Sequence, residues 1–417
     1  MLKLNNAIPS AAIGILFCSS LPLQAAEFPG LPATEKVLAS LENQPRVREA
    51  QAMLEAARAR SLGIRVGSHE WTVSAGLQNR RVNAAPDERF TEWEGSLEKS
   101  FRLPGKVALD GRLGEVTVQK AELAVGDALH ESARELLKTW FEYGRADEST
   151  KLWQAQAELF NQQVEIVEKR IRAGDAPKLE REAARAALSQ SQSQTARAKL
   201  QQEAAHSLLR SRYPVLDLAQ LTWPEPFKAE GTLDTWREAV LSENHELAYA
   251  KAGTQLSKLN AERLSANLKP DPTLGLRFTS ERGGEEKIVG AFVSVPFPGA
   301  ARRADRDAAL AESQAALTRE GAIKVRLAQE AESQYLTALR ALEIWRSARE
   351  AADAYQKQAD GAARAYQLGE GSLSESLTAR RLALEAQLNE VNARVDALEA
   401  SYRLKLDAHQ LWPFHQD

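Results

Sequence analysis

The chain has 417 residues, 43% hydrophobic and 27% charged, with 54 basic against 57 acidic side chains. A formal net charge of −3 argues against a general nucleic-acid binder, which carries a basic excess. One cysteine and two methionines exclude disulfide frameworks, thiolate zinc sites and methionine-rich copper sites. No nucleophile lies near a base, so neither an enzyme nor a bound cofactor is expected.

Residues 1–25 carry Lys3, an apolar run from Ala7 to Phe17, and small residues at Ala25 and Ala26. This is the pattern of a cleavable export signal. Ser19, Ser20 and Pro22 interrupt it too soon for a membrane helix. Phe17 before Cys18 argues against a lipoprotein site, which wants a small residue there.

From residue 26 the chain repeats one order of elements: helix, two strands, a very long helix, a glycine-containing break and a returning helix. In the first copy, 26–212, the expected elements are a helix over 34–66, strands over 71–81 and 91–103, and a long helix from Pro104-Gly105 to about Arg172. Gly174-Asp175-Ala176-Pro177 breaks that helix, and another covers 178–212. A proline-rich linker, 213–232, leads to the second copy, 233–417. There a helix over 233–267 precedes strands over 272–280 and 287–297, and a long helix runs from Pro298-Gly299 to Leu368. Gly369-Glu370-Gly371-Ser372 breaks it before a last helix over 373–411. Asn43 matches Asn244, and Gly174 matches Gly369.

A helix of about 68 residues is roughly 100 Å long and must lie against other long helices. Leu373, Leu377, Leu384, Leu388, Val391, Val395, Leu398 and Tyr402 follow spacings of three, four and seven, a coiled-coil seam. The strands alternate strictly. Trp93, Leu97 and Phe101 interleave with Glu94, Glu98 and Arg102; Trp71, Val73 and Leu77 with Thr72, Ser74 and Gln78. Leu274, Leu276 and Phe278 continue the pattern, which Ile288 and Phe292 blur in the last strand. Each strand has the length of a tilted transmembrane β-strand. Four strands neither cover their own apolar face nor close a barrel. Three chains would supply twelve strands and leave no edge.

Together these features resemble the TolC-type outer-membrane efflux proteins, and the segment Gly369-Glu370-Gly371-Ser372-Leu373-Ser374-Glu375 looks most like the CzcC-type channels of heavy-metal resistance. The resemblance implies a mainly α fold with membrane β: a homotrimer with a twelve-stranded barrel in the outer membrane, in contact with its lipid, on an α-helical barrel in the periplasm. It implies a passive duct working with a periplasmic adaptor (membrane fusion) protein and an RND-type inner-membrane pump, and heavy-metal cations as cargo. A drug-efflux or type I secretion duct is the alternative within the family. A periplasmic coiled-coil scaffold or adaptor is the alternative outside it.

Trp93, Leu97 and Phe101 are expected to face lipid, with Glu94, Glu98 and Arg102 toward the pore. The family's acidic gate position, six residues past the break glycine, maps onto Glu375 and, in the first copy, Glu180. The second acidic position of the family falls on Thr378. Glu375 also lies about 200° around the helix from Leu373, away from the seam. A threefold ring of Glu375 would attract cations, and mutual repulsion would raise its pKa. The six histidines, 69, 130, 206, 245, 409 and 415, show no metal-ligand spacing and read as surface or interface residues.

Overall fold

A computed structural model describes residues 28–83, 85–218 and 222–413; the expected export signal and His415 lie outside them. The element order is α1 (Thr34–Glu42), α2 (Pro45–Val66), β1 (Trp71–Val82), β2 (Glu88–Ser100), α3 (Pro104–Ala173), α4 (Lys178–Arg212), α5 (Leu233–Ser242), α6 (His245–Ala266), β3 (Thr273–Glu281), β4 (Glu286–Ser294), α7 (Ala300–Leu368) and α8 (Leu373–Asp407). The single helix expected at the start of each copy is two. Pro45 opens α2 at a position where its missing N–H is harmless. In the second copy the Asn244 side chain accepts from Leu247 N at 2.8 Å and caps α6. The paired Asn43 and Asn244 thus mark the same turn.

The long helices α3 and α7, of 70 and 69 residues, each extend roughly 105 Å at 1.5 Å per residue. Such lengths need partners along their whole course. α2 and then α4 line α3, while α6 and α8 line α7. The α8 seam is buried throughout its upper half: Val395 and Leu398 are inaccessible and Tyr402 nearly so.

The main core lies at mid-height on α3. Leu136, Leu137, Trp140 and Phe141 meet Val37 and Leu41 of α1, Leu209 at the end of α4, and Leu398, Tyr402 and Trp412 from the C-terminal side. Both copies therefore share one core. Trp223, from the linker, reaches α3 across Gly144: a Cβ there would lie 1.9 Å from the Trp223 ring. Alanine ordinarily favours a helix over glycine by about 1 kcal/mol. Gly144→Ala should nevertheless destabilise the protein by about 1–3 kcal/mol through overpacking. A urea midpoint that rises instead would show that Trp223 does not occupy this notch.

The histidines are not all at the surface. His130 is 4% exposed, and its ring stacks on that of His409 at 5.0 Å, with His245 at 6.4 Å. The Leu406 carbonyl lies 3.2 Å from His130 Nε2. Burial, then the Arg134 charge, pushes the His130 pKa down to about 3, against a smaller upward pull from Asp407. The unfolded chain takes up this proton near pH 6.5 and the folded chain only near 3, so stability falls as pH drops across that window. The contribution is about 2 kcal/mol at pH 5. His130→Gln should flatten the fall in thermal midpoint between pH 7 and pH 5; an unchanged slope would show that other groups set it.

The four strands form one antiparallel sheet in the order β1-β2-β3-β4, in which β2 and β3 join the two copies. The registers put Trp71, Val73, Ala75 and Leu77 on one face with Trp93, Leu97, Leu274, Leu276, Phe278, Val289 and Val293. This apolar face is open: Val73 and Leu77 are 76% and 75% exposed. The opposite face carries Glu88, Glu92, Glu94, Glu98, Glu281 and Glu286 against Arg80 and Arg277. Phe292 belongs to this polar face because Gly275, its cross-strand partner, leaves room: a Cβ at Gly275 would lie 2.3 Å from the Phe292 ring. β1 and β4 are the sheet's two edges, each with a row of backbone groups unpaired within the chain.

Arg102 corrects the expected alternation. It does not continue the polar face of β2, which ends at Ser100. Its guanidinium donates to the carbonyls of Ile64, Arg65 and Val66 and to Asp110. It thus satisfies the last turn of α2 and complements that helix's negative end.

Candidate functional site at the helical tip

At the end remote from the sheet, α3 and α7 stop in the same way. Gly174 and Gly369 take left-handed conformations, φ +82° and +80°. Asp175 N donates to Arg170 O and Glu370 N to Ala365 O, both at 2.9 Å. Gly174 N reaches Ile171 O and Gly369 N reaches Tyr366 O. These are Schellman closures, which need a residue without Cβ strain at the turn.

The returning helices start differently. α8 has a full capping box: Ser372 Oγ accepts from Glu375 N at 3.2 Å, while Ser372 N donates to Glu375 Oε2 at 3.0 Å. α4 starts after Pro177 with no side-chain cap. Bonds from the Ser372 backbone and hydroxyl lower the Glu375 pKa. Within the protomer this is opposite to the expected upward shift. The stabilisation is present above the ordinary carboxylate pKa and disappears as pH falls through the lowered value. Glu375 is exposed, as is Thr378 one turn on.

Glu180 has a different setting. It accepts a 2.6 Å hydrogen bond from the Tyr366 hydroxyl, which links α4 of the first copy to α7 of the second. Tyr366 is 1% exposed and packs with Val167, Ala184 and Leu373, one residue from each of the four tip helices counting its own. Burial, with Glu180 beside it, pushes the Tyr366 pKa up to about 12, so the phenol stays a donor. Arg170 lies over its ring at 4.6 Å and donates to its backbone carbonyl at 3.2 Å. Sequence reasoning passed over Tyr366 and Arg170. The available signal was an aromatic three residues before the break glycine.

Between α3, α4 and α8 just above this link runs a groove of about 780 Å³, lined by Trp153, Phe160, Leu179, Ala183, Leu377 and Leu384. At the other end of the molecule, Trp93 and Leu97 stand on the apolar sheet face at 54% and 37% exposure. Phe101 lies one residue beyond β2, its N–H still donating to Pro272 O at 2.9 Å. Among the described residues no group of three His, Cys, Asp or Glu has the geometry to hold a metal ion. No described helix is long and apolar enough to cross a membrane.

Residues 236–406, from α5 to the end of α8, match the family described as outer membrane efflux protein. That match covers the second copy of the repeat. The fold extends that likeness over both copies. The outer-membrane channel OprN superposes with a TM-score of 0.77 at 17% identity, covering 91% of this chain and 90% of that one. The Campylobacter jejuni CmeC outer membrane channel gives 0.74 at 15% identity, over 99% and 95%. The outer membrane protein VceC from Vibrio cholerae gives 0.73 at 16%, over 90% and 95%. No curated protein matches the chain. The matched family and the similar structures are those of outer-membrane proteins.

Proposed function

We propose that three copies of this chain close a twelve-stranded barrel on a helical tunnel, forming the passive exit duct of a tripartite efflux system. The observation that carries this reading is the four-stranded sheet: one face is apolar and open, and both edges lack partners within the chain. Closure with neighbouring copies pairs the edges, and lipid covers the face. The detergent-solubilised protein should weigh three chains and remain in the outer-membrane fraction after carbonate washing. A folded monomer that washes free would overturn the duct in favour of a periplasmic scaffold.

The partners proposed are a periplasmic adaptor and an RND-type inner-membrane pump, meeting the tunnel at the tip. The apolar groove beside α8 supports a helical partner there. Heavy-metal cations are the proposed cargo, supported by the carboxylates of the polar sheet face, which would line the lumen. Selectivity among metals belongs to the pump, because a water-filled duct need not bind what it passes. A deletion strain should become metal-sensitive and regain resistance with the intact gene.

Glu375, exposed at the tip, is proposed as an acidic ring. In planar bilayers the wild type should prefer cations and be blocked by divalent ions added from the periplasmic side. Glu375→Gln should lose much of both effects. The same selectivity and block in both proteins would reduce Glu375 to its capping role.

A further inference from the structure

The registers sort charge as well as hydrophobicity. Carboxylates occur only on the polar face of the strands. The apolar face carries four charged residues, Arg81, Arg89, Lys99 and Lys287, all basic. Arg81 and Arg89 are direct cross-strand partners. Like charges so placed repel each other unless an anion intervenes. Asp87 answers Arg81 at 2.7 Å, and among the described residues Arg89 has no ion-pair partner.

Their spacing is informative. Arg89 and Lys99 lie on one strand, ten residues apart, with Thr91, Trp93, Gly95 and Leu97 between them on that face. Ten residues span about 34 Å of strand, and a tilt of about 40° reduces this to about 26 Å of height. The apolar band of an outer-membrane barrel is about 25 Å tall. The basic residues therefore fall at the two levels where phosphates of lipid headgroups sit. Lys99 also lies 5.1 Å over the ring of Trp71, an aromatic at the same level.

We propose that Arg89, with Arg81 and Lys287, forms a binding surface for phosphate groups of anionic lipid in the leaflet at the hairpin end of the sheet, while Lys99 meets phospholipid phosphate at the other. The surface draws such lipid around the barrel and fixes its height in the membrane. This rests on the duct reading, since the apolar face must meet lipid.

The full chain is reconstituted into vesicles of phosphatidylcholine alone and with a tenth of a bisphosphorylated glycolipid, and the lipid retained by the detergent-extracted trimer is measured by mass spectrometry. Wild type should retain the phosphorylated lipid at least fivefold over its bulk fraction, and adding free inorganic phosphate should displace little of it. Arg89→Gln with Lys287→Gln should lose that enrichment yet insert and conduct, whereas Arg277→Gln, on the polar face, should keep it. No enrichment in wild type, enrichment unaffected by the double variant, or full displacement by free phosphate would each overturn the lipid surface. Failure of wild type to insert even into phosphatidylcholine would remove the duct reading and this surface with it. Insertion without enrichment removes only the surface.

Discussion

Phe278→Arg should abolish trimer assembly, whereas Thr279→Arg, one residue along β3, should assemble and conduct. Phe278 pairs with Gly95 and Val289 on the apolar face, near mid-height between the two basic levels. Thr279 points to the polar face at nearly the same depth. An arginine facing lipid at the midplane costs about 2–4 kcal/mol, and about 0–1 near the interface. Three copies bring the cost of Phe278→Arg to about 6–12 kcal/mol per trimer, comparable to the whole stability of a typical domain. Leu97→Arg, two residues from Lys99, lies nearer the interface and should reduce assembly less. Trimer recovered from outer membranes measures the series. Equal yields from Phe278→Arg and Thr279→Arg would refute the assignment of faces.

The second large effect is expected at the tip. Tyr366→Phe deletes the 2.6 Å hydrogen bond that ties the first-copy hairpin to the second at Glu180. A hydrogen bond to a charged group contributes about 1.5–3 kcal/mol. The proposed trimer would have three such links, each tying together the two hairpins of one chain at the end of the tunnel. Single-channel conductance should rise in Tyr366→Phe and in Glu180→Ala. The double variant should add little to either, because both single changes break one bond. The buried cluster around Tyr366 should keep the thermal midpoint of assembled trimer within a few degrees. Unaltered conductance in all three variants would show that this bond staples the tip without controlling its width.

Much of this architecture was legible in the sequence because its signals are periodic. Lys178–Arg212 and Ala300–Leu368 end where glycine, proline and the spacing of apolar residues put them. Alternation located the four strands, and the likeness to outer-membrane efflux proteins followed from their number and order. Alternation misjudged Arg102, because an arginine at the foot of a strand serves equally as a pore charge or as a cap for a helix 36–38 residues away in sequence. It also had no account of Phe292, whose place depends on a glycine across the strand pair. Glu375 and Glu180 were found by spacing from the glycines, yet spacing carries no information on partners. One capping its own helix and the other accepting from Tyr366 are facts of tertiary geometry. His130 was misplaced for a similar reason: on a polar helix of 70 residues, no periodic face distinguishes the few positions that pass through the core.

The two hairpin turns share one backbone closure but not one chemistry: α8 is capped by Ser372 and Glu375, and α4 follows Pro177 uncapped. In the proposed trimer six turns surround the axis, nearly alike in backbone path. Capped and uncapped turns alternate, so the ring has true threefold symmetry within an approximate sixfold outline. A partner that reads only the backbone would find six equivalent places to dock; one that reads side chains would find two sets of three.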